Sequence, residues 1–228
     1  MIYTHETIGN ITIATITASE EGKKIDLREV NLLRRSIMGH VRSFAIEYVT
    51  FYENSSVRDD EILALRLGLV PIHQVSIAHD DIKYDDSRGI KVIFGNIDVF
   101  GPKIVTTSDI MGFTFLTETP IVTLLKDQRL SCDLIATEGY GDMHAKWRPC
   151  GPISITESKD TFKLKFKGIG ILSGDEILKQ GVERINEAAM RRPPNKFFAQ
   201  VLPPNMINLV DVSTISDESP DEPTNELW

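Results

Sequence analysis

Apolar and polar positions follow two different periods along this chain, and the switches between them mark its elements. Residues 8–17 (IGNITIATIT) are dense in β-branched Ile and Thr, which suit a pleated surface, and predict a strand. After a polar turn carrying Gly22, Asp26 is placed to cap a helix running to about residue 40. Val30, Leu33, Ile37 and Val41 recur there at helical spacing. The opposite face carries Arg28 and Arg35, with Arg34 nearer the edge of the stripe. Residues 44–51 predict a second strand, and 59–67 a short helix stopped by Gly68 and Pro71.

Short strand candidates at 91–94 and 121–125 lie among clusters of Asp, Gly, Ser and Pro. Leu130, Cys132, Leu134 and Ala136 then alternate with Ser131, Asp133 and Ile135 until Gly139 and Gly141 break the pattern. Phe162, Leu164 and Phe166 alternate cleanly with three lysines, the signature of a half-buried strand with one wet face. Ser173 and Glu176 form a capping box for a last helix. Its stripe is Ile177, Val182, Ile185 and Ala189, and Pro193 and Pro194 end it. Residues 195–210 read as a strand or an extended docking segment, and the Ser-, Asp-, Glu- and Pro-rich stretch after Val210 predicts disorder.

The formal charge of the 228 residues changes this picture little once it is located. The six acidic residues after Lys196 account for all but two of the net charge of -8. The body is therefore nearly neutral, which argues against DNA binding as the main task, because phosphate contacts demand a basic surface. No apolar run reaches the roughly 20 residues a bilayer span needs, and the first residues lack the basic-then-apolar pattern of a signal peptide. The chain reads as intracellular and soluble.

Candidate chemistry is sparse. Cys132, Cys150 and His144 lack the local spacing by which a short segment grips zinc. Cys132 reads as a core residue and Cys150 as a loop thiol. His5, His40, His73, His79 and His144 fall in no catalytic motif, and neither a G-x-S-x-G turn nor a phosphate-binding loop is present. Gly168, Gly170 and Gly174 miss the dinucleotide fingerprint, while Asp80-Asp81 and Asp85-Asp86 read as solvated loop charges. No catalytic residue, cofactor site or metal site is expected.

Three segments carry more information. The first is Asn31-Leu32-Leu33-Arg34-Arg35, followed by Phe44-Ala45-Ile46 and Asn54-Ser55-Ser56-Val57. The second is the stretch DEILALRLGLVPI at 60–72, and the third is Gly139-Tyr140-Gly141 running into His144-Ala145-Lys146-Trp147-Arg148-Pro149. In content, order and spacing they resemble the alpha-like assembly subunits of multisubunit RNA polymerases: the bacterial alpha N-terminal region, its archaeal D-type counterpart and the third-largest subunit of eukaryotic RNA polymerase II. The missing cysteine cluster, compact loops and short acidic tail suit a divergent archaeal or a viral member.

That resemblance implies an α+β fold: a split dimerisation domain (1–50 and 156–210), with two long helices on an antiparallel sheet, interrupted by a mainly β inserted domain (51–155) and followed by a tail (211–228). It further implies a noncatalytic scaffold of a DNA-directed RNA polymerase at the site of transcription. The scaffold pairs with a small alpha-like partner of the archaeal L type and then recruits the largest and second-largest subunits. Magnesium would belong to those two large chains, DNA would be met only through the complex, and no membrane is involved. Val30, Leu33, Ile37, Ile177, Val182 and Ile185 are the expected dimer seam. Arg34 and Arg35 would face the second-largest subunit. Arg66 would pin the inserted domain's own loops, and His144, Lys146 and Trp147 would serve a structural or large-subunit contact. The rivals are a stand-alone enzyme around His144, Cys132 and Cys150, and a free-standing interaction or regulatory module.

Overall fold

The computed structural model describes residues 2–17, 26–73, 82–85, 89–158, 161–191 and 210–211. The strand expected at 8–17 is in fact the second arm of a hairpin. β1 (Ile2–Ile8) and β2 (Ile11–Thr17) pair antiparallel around Gly9-Asn10. Gly9 has φ 62°, the left-handed backbone that such a two-residue loop requires and a glycine tolerates. The apolar pattern alone did not show the Thr- and Glu-containing first arm.

Helix α1 (Leu27–Gly39) starts as expected, with the Asp26 carboxylate accepting from the Arg28 amide at 2.9 Å. After β3 (Arg42–Asn54) and α2 (Asp60–Gly68) come β4 (Lys83–Asp85), β5 (Ile90–Phe100), β6 (Lys103–Thr106), β7 (Pro120–Leu124) and β8 (Arg129–Tyr140). The chain then returns through β9 (Ser154–Ser158) and β10 (Thr161–Lys167) to α3 (Gly174–Arg191), and a short β11 (Val210–Asp211) is described beyond it. Ser173 Oγ accepts from the Glu176 amide at 3.3 Å, half of the expected capping box. The Glu176 carboxylate turns instead to Gln180 one turn on.

These strands form two main sheets, antiparallel but for one pair. The first has the order β11-β1-β2-β10-β9, so both ends of the chain contribute to it, and only β1 and β11 run parallel. The second has the order β3-β8-β5-β4, with the β6–β7 hairpin beside it. Phe162, Leu164 and Phe166 lie opposite Ile16, Ala14 and Thr12 on the face covered by α1 and α3, while the alternate lysines of β10 are exposed.

Each sheet has its own core. One joins Ala14, Val30, Leu33 and Ile37 to Phe162 and Ile185; the other joins Phe44, Leu63 and Leu67 to Ile93, Leu130 and Ala136. The fold class is thus mixed, with few helices and mostly antiparallel strands. The segment 44–51, recognised as a strand from sequence, lies in β3 of the second sheet. It pairs with β8 from Arg42↔Tyr140 to Asn54↔Leu130. Residues 192–209 and the tail 212–228, including nearly all of the expected docking segment and the expected disorder, lie outside the described residues.

Candidate subunit interface

Helices α1 and α3 come from opposite ends of the sequence and cross closely on the first sheet. The crossing depends on small side chains: Ser36 Oγ donates to the Gly181 carbonyl at 2.7 Å, and a Cβ at Gly181 would stand only 2.7 Å from Ile37 Cγ1. Val30, Leu33, Ile37, Ile177, Val182 and Ile185 meet here, but not as an open seam. All six are buried in the chain's own first core, Val30, Ile37 and Ile177 completely. The expected seam is thus already covered within this chain. Helical spacing marks which side of each helix is covered, and here the cover is the sheet and the other helix of the same polypeptide.

Beside that stripe, the flank of α1 is less covered. Leu27 is exposed, while Asn31, Arg34 and Met38 are half-buried along the same edge of α1. Arg34 Nε donates to Asn31 Oδ1 at 2.8 Å, and its Nη1 lies 3.5 Å from Met38 Sδ, which holds the guanidinium against the helix. Arg35 is exposed.

The Gly-Tyr-Gly and His-Ala-Lys-Trp-Arg-Pro segments form the joint between the helix layer and the second sheet. The Trp147 indole lies flat on Gly139, where any Cβ would overlap the ring, and its Nε1–H donates to the Thr137 carbonyl at 3.0 Å. Its own carbonyl accepts from Ser43 Oγ at 2.6 Å. Gly141 gives way in the same manner to the Met38 carbonyl at the end of α1. Lys146 donates to the Ile46 carbonyl at 3.2 Å and pairs with Glu47, with its ammonium 4.4 Å from the centre of the Trp147 ring.

Tyr140 between the two glycines has Arg42 and Arg184 guanidinium groups each 5.7 Å from its ring centre. Arg42 Nε donates to its hydroxyl at 2.9 Å, and the Arg42 amide donates to Gln180 of α3 at 3.3 Å. Of the two roles left open for His144, Lys146 and Trp147, the buried Trp147 and the partly buried Lys146 have structural work. His144 is exposed and caps the short turn Ala145–Trp147 by accepting from the Lys146 amide. Ser43, Arg42 and Arg184 were missed by sequence reading. The only hint was the Gly-x-Gly at a strand end, which marks a close approach without naming what approaches. Arg66 Nη2 donates to the Pro120 carbonyl at 3.0 Å, linking α2 to the first residue of β7.

The cysteines have no reactive setting. Cys132 sits in the second core; Cys150 lies in the loop between the Ala145–Trp147 turn and β9, as expected, but is buried in the first core. Burial pushes each thiol up from 9.0 to about 12. Both should therefore resist a thiol reagent at pH 8 in the folded protein and react promptly in denaturant; fast labelling under native conditions would contradict their burial. The sign of the pH dependence follows. The folded state holds these protons more tightly than the unfolded one, so their contribution to stability is full below pH 9 and declines as pH rises toward 12. The described histidines serve structure: His5 pairs with Asp175 at 2.9 Å, His40 lies 3.7 Å from Asp142, and His73 shares a hydrogen bond with the Gly170 carbonyl. His79, Asp80, Asp81 and Asp86 lie outside the described residues. Among the described residues, no three His, Cys, Asp or Glu side chains are grouped to hold a metal ion, and no helix is long and apolar enough to cross a membrane.

No family model matches the chain. Individual proteins do. It is 35% identical over 162 residues to the DNA-directed RNA polymerase subunit Rpo3 of Methanocaldococcus jannaschii, an alignment covering 70% of this chain and 80% of the relative. This chain belongs to the Rpo3 family of DNA-directed RNA polymerase subunits. The Rpo3 of Natronomonas pharaonis is 30% identical over 188 residues, covering 76% of this chain and 72% of its own. The Rpo3 of Pyrococcus horikoshii is 35% identical over 142 residues, and there the alignment spans only about half of the relative, 52%. The resemblance drawn from the three sequence segments therefore holds at the level of the Rpo3 family.

Proposed function

We propose that this chain is the noncatalytic assembly subunit of a DNA-directed RNA polymerase. Its first sheet with α1 and α3 would be a split dimerisation domain that pairs with a small alpha-like subunit and forms the platform for the two large catalytic subunits. The observation that carries the reading is the union of the two chain ends in one sheet and one helix pair, in a chain whose relatives are polymerase subunits. A platform of this kind needs no reactive group of its own. The reading assigns it no metal or cofactor, leaves magnesium to the large subunits, gives it DNA only through the complex, and places it wherever transcription occurs in the cell. Because the six residues of the expected seam are already buried, the small partner would contact Leu27 and Met38 on the flank of α1, with Arg34 beside them kept for the second-largest subunit. Arg35 would face the second-largest subunit, its planar fork suited to carboxylates or carbonyls.

The test is co-purification from cells through a tag on this chain. The wild type should bring down a small alpha-like subunit and both large subunits. Arg35→Glu should lose the large subunits at least tenfold while melting within a degree or two of wild type, since an exposed substitution shifts stability by only about 0.5 kcal/mol. Recovery of the wild-type chain without any polymerase subunit would refute the reading. A second reading, a free-standing interaction module of the same fold, draws on the burial of those six residues, which leaves the chain less dependent on a partner to cover its stripes. It predicts a well-behaved monomer and no associated large subunit.

A further inference from the structure

Helix α2 is apolar on both sides, yet only one side is covered. Leu63 and Leu67 are fully buried in the second core. On the outer face, Ile62, Leu65 and Leu69 recur at helical spacing, with Leu65 58% and Leu69 54% exposed. Beside this face, Arg66 reaches over to Pro120 and forms the wall of a groove of about 500 Å³ between α2 and β7, in which Val57, Ile104 and Leu125 are also largely exposed. Exposed apolar residues thus lie both on the outer face of α2 and in the groove, with Arg66 the α2 residue that lines it, and clustered exposed apolar surface marks association sites on soluble proteins.

We propose that the outer face of α2 and the adjoining groove form a second docking surface, separate from the α1–α3 helix pair, for an extended or helical segment of another polypeptide that carries apolar anchors flanked by Asp or Glu. Charge selects the partner. Among the described residues, the charged groups lining the groove are Arg58 and Arg66, and neither guanidinium is paired with a carboxylate. Asp59, Asp60 and Glu61 gather at the start of α2, outside the lining. Two guanidinium groups without a carboxylate partner beside an apolar floor suit carboxylates; Arg58 presents its whole fork, and Arg66 keeps donors beyond the Nη2 that reaches Pro120. A second copy of this chain fits less well, because a two-fold contact through the groove would bring like arginines together. A small ligand would leave the exposed face of α2 uncovered, whereas a polypeptide segment can lie along the helix and the groove at once.

The experiment places a photoreactive benzoylphenylalanine at Leu65 of the tagged full chain, with the same probe at exposed Lys163 on the first sheet as control, and maps the cross-links in the purified complex by mass spectrometry. The expected result is one polypeptide cross-linked at Leu65 and not at Lys163, through a peptide bearing apolar residues next to Asp or Glu. Arg58→Glu combined with Arg66→Glu should cut that cross-link at least tenfold, and changing the partner's mapped carboxylate to Lys should restore it. No cross-link above the control, a cross-link to a second copy of this chain, or a mapped peptide without carboxylates would each overturn the proposal. The mapping is done with both arginines intact, so misfolding of the double variant leaves the decisive result standing. A specific Leu65 cross-link in a preparation lacking the large polymerase subunits would uphold this surface while the polymerase reading fell; large subunits without the cross-link would do the reverse.

Discussion

Leu33→Asp is expected to unfold the first core rather than to detach a folded chain from its partner. Leu33 is 2% exposed between α1, α3 and the sheet. Losing its side chain from such a site costs about 2–5 kcal/mol, and an aspartate must in addition be buried without a partner or be protonated. The sum, about 5 kcal/mol or more, is a large part of the stability of an ordinary domain and should lower the melting temperature by at least about 10 °C. A melt followed by far-ultraviolet circular dichroism checks this. A variant that melts like wild type but no longer pairs would mean that Leu33 faces another chain, as the helical spacing by itself suggests. The contrast with Arg35→Glu, which should spare the fold and affect only association, separates core from contact along one helix.

The second large effect is expected at Trp147. Truncation to Ala should cost about 3–5 kcal/mol, because the indole fills the space over Gly139 and no nearby side chain can replace it. Trp147→Phe keeps most of the apolar volume but leaves the Thr137 carbonyl without its 3.0 Å donor, a loss of about 1–3 kcal/mol. Gly139→Val should resemble Trp147→Ala, since its side chain and the indole cannot occupy the same place. Urea midpoints for the three variants give the order: Phe mildest, Ala and Val severe. A near-neutral Gly139→Val would show that Trp147 does not rest on the strand. If Trp147 instead served only a large-subunit contact, all three variants would be as stable as the wild type and differ only in assembly.

Much of the fold was legible because its signals are local. Asp26 before an apolar stripe, Ser173 before another, and the strict alternation of Phe162, Leu164 and Phe166 with lysines each specify an element from a few neighbouring residues, and each lies where expected. β1 was missed because its alternate positions are Thr, His and Glu, which carry little apolar contrast, and because Gly9 was read as interior to a strand when its positive φ turns the chain. The strand at 44–51 was recognised, but its place in a sheet was not legible. Its partner, β8, lies some eighty residues on, and no property of β3 alone distinguishes the edge of one sheet from that of another. At the candidate interface, the Arg42–Tyr140–Arg184 arrangement joins three distant segments and had no local sign.

By itself, then, the amino-acid order determined the periods of the elements, the near-neutral body, the lack of any recognisable catalytic motif, and the three ordered segments by which the polymerase-subunit family could be named. What only the tertiary structure decided is where each apolar stripe finds its cover. Val30, Leu33 and Ile37 are spent inside the chain, while Ile62, Leu65 and Leu69, no more apolar in sequence, are left facing outward. The physical reason is that the hydrophobic effect acts on area removed from water and is indifferent to which chain removes it. Periodicity can therefore say that a face needs covering, but only the packing of distant segments shows whether the same molecule has already done so.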